Sequence, residues 1–361
     1  MIPFIDLKRQ YSAIKPEIDS AIGRVIESGR FVLGEQVNGF EKEFASYCGT
    51  KFSVGVANGT EALQIALLAA GIKPGDEVIS VANTASATIT AIKAAKARPV
   101  LVDVQEDCFT MNPGLIEQAI SKKTRAIIPV HLFGQCCDMK PVLEIAEKRD
   151  LMVIEDACQA HGALYRGKKA GSIAEIGCFS FYPTKNLGCY GDGGAITTSN
   201  AEIAEKIRLL RNYGWRENYN SEINGINSRL DEMQAAILRA KLRHLDNWNA
   251  RRKEIAKRYC GELKTVQVPA EKSYASHVYH LYVVKSGKRN LLGSFLKGKG
   301  IASLVHYPVP IYLQQAFKDA VIAGKLKATE KLSKEILSIP IFPELEDSEV
   351  EEVIEAINSF R

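Results

Sequence analysis

No C-x-x-C pair occurs among the eight cysteines, at positions 48, 108, 136, 137, 158, 178, 189 and 260, and no histidine stands at zinc-site spacing from them. That excludes the common structural zinc sites and makes buried, reduced thiols the expected state. No apolar run approaches the ~18 residues a membrane helix needs. The start, Met1-Ile2-Pro3-Phe4-Ile5-Asp6-Leu7-Lys8, introduces charge too early for the hydrophobic stretch of a secretory leader. No membrane association is expected, and the predicted location is cytoplasmic. Clustered Lys and Arg interleaved with aromatics are also missing, and a net charge of +5 is small for 361 residues, so nucleic acid is not an expected partner. The basic run Arg239 to Arg258 intersperses its charges with Leu242, Leu245, Trp248, Ile255 and Ala256, as on a solvated helix face. There is no internal repeat or low-complexity segment. No G-x-G-x-x-G follows an early strand, which argues against a dinucleotide-binding oxidoreductase.

What remains is 46% apolar and 25% charged, the balance of a soluble globular enzyme with one large or two modest domains. Apolar runs alternate with helical patterns, which predicts an α/β fold with a mostly parallel sheet. Strands are expected at Glu77 to Val81, Val100 to Val104, Ala126 to His131, Leu151 to Glu155, Gly177 to Tyr182 and Ala195 to Thr198. The clearest helix runs from Glu61 to Ala70, apolar nearly all round and therefore buried. Helical periodicity from Leu230 to about Leu263 reads as the connection out of a large domain spanning 1–245. A smaller C-terminal α/β domain, 246–361, is then expected to contain a strand at His280 to Val284, a helix at Asn290 to Lys297 and a strand around Ile301 to Val305. It should close with a helix after Ser348 whose capping box Glu351 completes.

The stretch from Val153 to Gly194 carries the chemistry. Asp156 ends one apolar run, and Lys185 follows another within Ser180-Phe181-Tyr182-Pro183-Thr184-Lys185-Asn186, ahead of the turn Gly191-Asp192-Gly193-Gly194. This pattern suits pyridoxal phosphate, which asks for an amine to condense with its aldehyde, a carboxylate to keep its pyridine nitrogen protonated, and donors for a dianionic phosphate. Lys185 is the candidate amine and base, and Asp156 the candidate carboxylate. Ala57-Asn58-Gly59-Thr60 is the candidate phosphate site, because small residues at a helix start let backbone N–H groups approach an anion. Asn-Gly-Thr also serves as an ordinary turn and cap. Ser180 could add a hydroxyl to the same phosphate, or simply face a polar layer.

Taken together, Phe4-Ile5-Asp6-Leu7, Ser28-Gly29-Arg30-Phe31, Phe40-Glu41, Asn58-Gly59-Thr60-Glu61-Ala62-Leu63, Glu155-Asp156, Gln159, Ser180-Phe181, Thr184-Lys185, Gly191-Asp192-Gly193-Gly194-Ala195 and Asn227-Ser228-Arg229-Leu230-Asp231 resemble the DegT/DnrJ/EryC1/StrS sugar aminotransferases over nearly the whole chain. The resemblance implies fold type I, that of the aspartate aminotransferase superfamily, with pyridoxal 5'-phosphate as cofactor. It implies that Lys185 binds the cofactor covalently, Asp156 contacts the ring nitrogen, Gln159 bonds the phenolic oxygen, and Gly59, Thr60 and Ser180 hold the phosphate. It further implies that Asn227 reaches the phosphate of the other subunit, making a homodimer with composite active sites.

Gln159-Ala160-His161-Gly162-Ala163 with Asn83-Thr84-Ala85 resembles the branch that aminates C-3 of nucleotide-linked 3-keto-6-deoxyhexoses, with L-glutamate as donor and dTDP as the expected nucleotide. His161 could orient sugar hydroxyls or assist proton transfer near neutral pH, or be a structural histidine. Arg216, Arg229, His306 and Tyr307 are candidates for nucleotide or sugar binding. The bulky aromatic that many relatives place at Ala85 or Ser86 is missing, which leaves one face of the cofactor ring without an assigned neighbour. C-4 amination and a non-enzymatic ligand-binding regulator remain alternatives. The related sugar dehydratases replace the lysine with histidine, which this chain does not.

Overall fold

The computed structural model describes residues 1–217 and 219–361. Seven strands build the large sheet in the first part of the chain: β1 (Phe52–Val56), β2 (Glu77–Val81), β3 (Arg98–Val102), β4 (Thr124–Ile127), β5 (Met152–Asp156), β6 (Ile176–Ser180) and β7 (Gly194–Thr198). Later come β8 (Tyr282–Lys285), β9 (Val321–Ile322) and β10 (Ile336–Ile339). The large sheet has eight strands in the order β1-β7-β6-β5-β4-β2-β3-β9. Neighbours from β6 to β9 run parallel, whereas β7 is antiparallel to both β1 and β6.

All six strands expected from the apolar runs are present, with ends displaced by a few residues. Two were not anticipated: β1, a short run interrupted by Gly55, and the two-residue β9. The sheet is sandwiched, so alternate residues of each strand enter different apolar layers. Val54, Val78, Leu101 and Ile154 pack with Leu63 and Ala66 of the helix Gly59–Ala69. Ile79, Val100, Ile127 and Val153 pack on the opposite face with Phe40 and Phe44 of the helix Glu35–Cys48. That is why the strands read as continuous apolar runs instead of alternating ones.

A smaller unit pairs β8 with β10 antiparallel. Its core joins Tyr259 of the helix Leu245–Glu262, Leu296 of Arg289–Gly298 and Val353 of Asp347–Ser359 with Tyr282 and Ile339. The chain crosses between the two units more than once. Ile2 joins the smaller core and bridges Ile301, while β9 returns to the edge of the large sheet beside β3.

Several expectations need correcting. The helical stretch 230–263 is two helices, Glu232–Leu242 and Leu245–Glu262, broken at Arg243-His244. Ile301 to Val305 forms no strand, only single bridges from Ile301 to Ile2 and from Leu304 to Ser338. The capping box of the last helix is made by Glu346 and Glu349, because the helix begins at Asp347 and leaves Ser348 inside its first turn. Nor is the basic run wholly a solvated face, since Lys241 and Arg252 are buried. Lys241 Nζ donates to the Gly188 carbonyl at 2.7 Å, and Arg252 donates to the carbonyls of Tyr279 at 3.1 Å and Ile341 at 2.8 Å. These cations answer loop carbonyls that strands and helices leave unpaired.

A distant carboxylate solves a capping problem. The helix Glu35–Cys48 starts at Gly34, which has no side chain to cap it. Glu232 supplies the acceptors instead: Oε1 takes the N–H groups of Gly34 at 2.7 Å and Val37 at 2.9 Å, and Oε2 takes that of Gln36 at 2.8 Å. Its negative charge also complements the positive end of the helix. We expect Glu232→Ala to cost roughly 2–4 kcal/mol of stability, the loss of several charge-assisted bonds from one buried group. Glu232→Gln, which keeps one carbonyl oxygen, should cost less. Urea-denaturation midpoints of the two variants test this, and equal midpoints to the parent would remove Glu232 from the capping role.

Candidate active site

Strands β1, β2, β4, β5 and β6 all end at the same edge of the sheet, where open α/β folds present their ligands. The helix Gly59–Ala69 begins there after β1, Thr84 and Thr88 follow β2, Asp156 ends β5 with Gln159 just beyond it, and Ser180 ends β6 with Lys185 in the loop that follows. Residues far apart in the chain are thus gathered by topology alone.

Gly59 lies so close to the end of β6 that a Cβ on it would sit 2.5 Å from Ser180 Cβ and 3.0 Å from Cys158 Sγ. A Cβ on Gly194 would fall 2.5 Å from the Asn58 carbonyl carbon. Only glycine permits this approach, which sets the start of a helix against the Ser180 side chain. Asn58 caps the helix by accepting from Glu61 N at 2.9 Å, so the N–H groups of Gly59 and Thr60, which cannot pair within the helix, face outward. Ser228, fully buried, accepts from Ala57 N at 3.1 Å and steadies the approach to this turn. A glycine-backed helix start beside a serine is a donor set suited to a dianion.

Lys185 stands on a tightly tied loop. Its N–H donates to Tyr182 O at 2.8 Å, Cys189 N donates to Phe181 O at 2.9 Å, and Lys241 grips Gly188 from below. Burial lowers the pKa of the Lys185 amine, against the opposing pull of Cys158 and Asp156. Burial likewise pushes Lys241 down to about 8. Asp156 is buried, with Oδ2 accepting from Thr88 Oγ1 at 2.8 Å and Oδ1 from Cys158 N at 3.2 Å. Gln159 uses Oε1 to accept from Phe133 N at 2.8 Å, which turns its amide nitrogen toward the Tyr307 hydroxyl at 3.1 Å. Burial raises the Tyr307 phenol to about 12, although the Gln159 bond lowers it.

Burial favours the neutral form of two histidines at this edge. His161 is buried between Phe179 and Phe181, with ring centroids 5.4 and 5.6 Å away, and neither ring nitrogen has a hydrogen-bond partner among the described residues. Burial first, and the Lys185 charge second, push its pKa down to about 3. That environment favours the neutral ring, which suits orienting hydroxyls or a structural place better than proton transfer. The same two causes hold His306 at about 4, and its Nδ1 meets Ser338 Oγ at 2.9 Å.

The remaining candidates lie further out. Arg216 is exposed and bonded to Glu222 at 2.6 Å and Glu205 at 3.0 Å. Arg229 donates to Asn212 Oδ1 at 3.0 Å, and Asn227, exposed in the single chain, bridges Asn212. Sequence reasoning missed Thr88, Cys158 and Lys241 as neighbours of the site. Thr88 carries no signal, since a threonine in the first turn of Ser86–Ala94 reads as ordinary helix.

A lysine on a fixed loop, a buried carboxylate at a strand end and an anion-binding helix start on one sheet edge together define a pyridoxal-phosphate aminotransferase of fold type I. Residues 12–358 match the DegT/DnrJ/EryC1/StrS aminotransferase family, and the chain belongs to it. It is 47% identical over 363 residues to dTDP-3-amino-3,4,6-trideoxy-alpha-D-glucose transaminase of Streptomyces venezuelae, covering 99% of this chain and 96% of that protein. It is 45% identical to a pleiotropic regulatory protein of Geobacillus stearothermophilus, covering 99% and 98%. The crystal structure of DesV from S. venezuelae superposes with a TM-score of 0.96 at 47% identity, covering 99% of this chain and 97% of that one.

The neutral histidines give the protein a defined acid response. An unfolded histidine titrates near 6.5 and His161 in the fold near 3, so between these values the unfolded chain binds more protons. Stability present above pH 6.5 is therefore lost as the pH falls toward 3. At pH 5, His161→Leu should take up about one proton fewer on unfolding than the parent. Calorimetry in buffers of different ionisation enthalpy measures this, and unchanged uptake would show that His161 is already protonated in the fold.

Proposed function

We propose that this aminotransferase moves an amino group from L-glutamate to C-3 of a dTDP-linked 3-keto-6-deoxyhexose, forming a 3-amino-3,6-dideoxy sugar. The observation that carries the reading is the Lys185 amine, desolvated and within electrostatic reach of Asp156, at the edge where the Gly59 helix begins. The regiochemistry follows the name of the S. venezuelae relative, whose identity extends across both chains.

In this reading Gly59, Thr60 and Ser180 hold the phosphate of pyridoxal phosphate, Gln159 its phenolic oxygen and Asp156 its ring nitrogen. When bound, the cofactor supplies a carbonyl carbon to carry the amino group and an electron sink for the pair left by a departing proton. Lys185 Nζ, whose pKa burial lowers, takes the proton from Cα of glutamate in the first half-reaction. In the second it returns a proton to C-3 of the sugar. Tyr307, tied to Gln159, and His306 line the approach from the smaller unit, and we assign them to the sugar.

We also infer a homodimer with composite sites. Phe31 and Val32 are 49% and 51% exposed, and the aromatic cluster Tyr213, Trp215 and Tyr219 ends in a ring that is 88% exposed. Val32 bridges Asp231, and Asn227 lies beside Asn212, so this apolar surface adjoins the residues expected to serve the other subunit. The division into a large unit ending at residue 245 and a small one from 246 fits the helix break at Arg243-His244, with the N-terminus and β9 as crossing segments. The eight free cysteines accord with a reducing, cytoplasmic setting, and among the described residues no helix is long and apolar enough to cross a membrane.

The direct test is the visible spectrum of the PLP-loaded protein during sequential titration. L-Glutamate should remove the cofactor band and a dTDP-3-keto-6-deoxyhexose should restore it. Removal without restoration by 3-keto sugars, but with restoration by 4-keto sugars, would move the reaction to C-4. No response to glutamate would favour a ligand-binding regulator, the reading that the G. stearothermophilus relative's name suggests. Lys185→Ala should abolish turnover while PLP stays bound non-covalently, and Asp156→Asn should keep binding yet slow proton removal severely. Mixing Lys185→Ala with Asn227→Asp protomers should restore activity toward about a quarter of the parent, since each mixed dimer regains one intact site; no restoration would argue against shared sites.

A further inference from the structure

We propose that Thr88 is a positioning residue for Asp156, and that Thr84 is the outer member of a buried hydroxyl chain that aims the Thr88 proton at the carboxylate. The inference rests on the cofactor reading above and extends it to residues that reading leaves without a role.

The chain is short and its direction follows from valence. Thr84 Oγ1 lies 3.1 Å from Thr88 Oγ1, which lies 2.8 Å from Asp156 Oδ2. Thr84, Thr88 and Asp156 are 2%, 1% and 5% exposed. A hydroxyl has one proton to give, and an ionised carboxylate can only accept. Thr88 must therefore donate to Asp156, and Thr84 must donate to Thr88. The order Thr84 to Thr88 to Asp156 is the only one that satisfies all three groups.

The fold makes this chain rigid. Thr84 belongs to the turn that leaves β2, and Thr88 lies in the first turn of the helix Ser86–Ala94, four residues on and one helical turn away. Asp156 ends β5, which is separated from β2 only by β4. Its other oxygen, Oδ1, is fixed by Cys158 N at 3.2 Å. Each carboxylate oxygen thus has one protein donor and lone pairs left over, so the plane of the group is set while room remains for one more donor. A pyridinium N–H is such a donor. Rotation of the carboxylate would break both bonds at a buried position.

This also gives the turn Asn83-Thr84-Ala85 a function other than touching substrate. Thr84 is 2% exposed, and its hydroxyl influences the reaction through Thr88 and Asp156.

Three variants separate the hydroxyl from the packing. Thr88→Val keeps the shape and removes the donor, Thr88→Ser keeps the donor and removes a methyl, and Thr84→Val removes only the outer hydroxyl. We expect Thr88→Val to lower kcat for the glutamate half-reaction about 10- to 100-fold, the range for losing a hydrogen bond to a charged group. KM for glutamate should stay within about twofold, because the bond acts on the cofactor and not on ground-state binding. The affinity of the apoprotein for PLP, read by equilibrium dialysis, should fall about tenfold, and the pH dependence of the visible band should shift. Thr88→Ser should recover most of the loss, and Thr84→Val should show a smaller loss of kcat in the same direction.

Unchanged kcat and PLP affinity in Thr88→Val would overturn the proposal, as would Thr88→Ser losing as much as Thr88→Val. Should Thr88→Val not fold, Thr84→Val decides alone, and parent-like kinetics there would overturn the chain. A parent protein with no visible band on adding PLP would instead sink the underlying cofactor reading.

Discussion

Two carboxylates stand side by side at the end of β5, and the different ways in which they are satisfied organise the site. Successive strand residues point to opposite faces, so Glu155 and Asp156 enter different layers. Glu155 is wholly buried and accepts from Gly171 N and Ile173 N at 2.8 Å, Ala174 N at 2.7 Å and His131 Nε2 at 2.9 Å. The His131 tautomer follows from the network: Cys137 N donates into Nδ1 at 3.1 Å, so the ring proton is on Nε2 and points to Glu155. Four donors exhaust this group, and an unpaired charge at that depth would cost several kcal/mol. Glu155 thereby staples the loop 171–174 to β5 and fixes the level at which the strand ends. Asp156, one residue on, receives two donors among the described residues, Thr88 Oγ1 and Cys158 N. The saturated carboxylate is structural, and the unsaturated one keeps lone pairs for the ring nitrogen that we propose it contacts.

The sequence exposed the site more clearly than its supports. Asp156 and Lys185 are legible because each follows an apolar run that becomes a strand, and the chemistry of the cofactor demands those residue types. Gly59 is legible as a glycine at a helix start, but the reason for it, a 2.5 Å approach to Ser180, belongs to the packing of two strands. Thr88, Glu232 and Lys241 were not legible. Each acts on a partner dozens of residues away, and nothing local distinguishes a capping glutamate at position 232 from an exposed one. The basic run from Arg239 failed for the same reason, since periodicity reports which face is apolar and not which cation bends inward to a loop carbonyl.

Those inward cations also explain how the Lys185 loop keeps its shape. The segment from Pro183 to Gly191 has few regular backbone bonds, so its carbonyls need donors from elsewhere. Lys241 supplies one at Gly188 while lying 4.0 Å over the Tyr190 ring, and Asn186 donates to Val278 O at 3.0 Å and to Asn249 Oδ1 at 2.8 Å. Burying a lysine disfavours its charged form, and burial pushes Lys241 down to about 8. The return is that the Lys185 amine, which we propose as the base, is carried by a loop tied at several points, and small errors in such a position are expensive in rate.

The charge balance of the edge bears on the second subunit. The substrate we propose carries a diphosphate, and the cofactor a further phosphate, so the state of the nearby cationic groups matters. Burial keeps His161 and His306 neutral, with pKa values near 3 and 4. Arg216 is committed to Glu205 and Glu222 and Arg239 to Glu43, so their charges are already matched. Arg229 differs, since among the described residues its hydrogen bond goes to the neutral Asn212 amide. It stands next to Asn227, beside the exposed aromatic surface, where a partner rather than its own Lys185 would receive it. With His161 and His306 held neutral by burial and Arg216 and Arg239 paired with glutamates, the second copy of the chain that we propose would bring positive charge to an anionic substrate by presenting Arg229 beside Asn227.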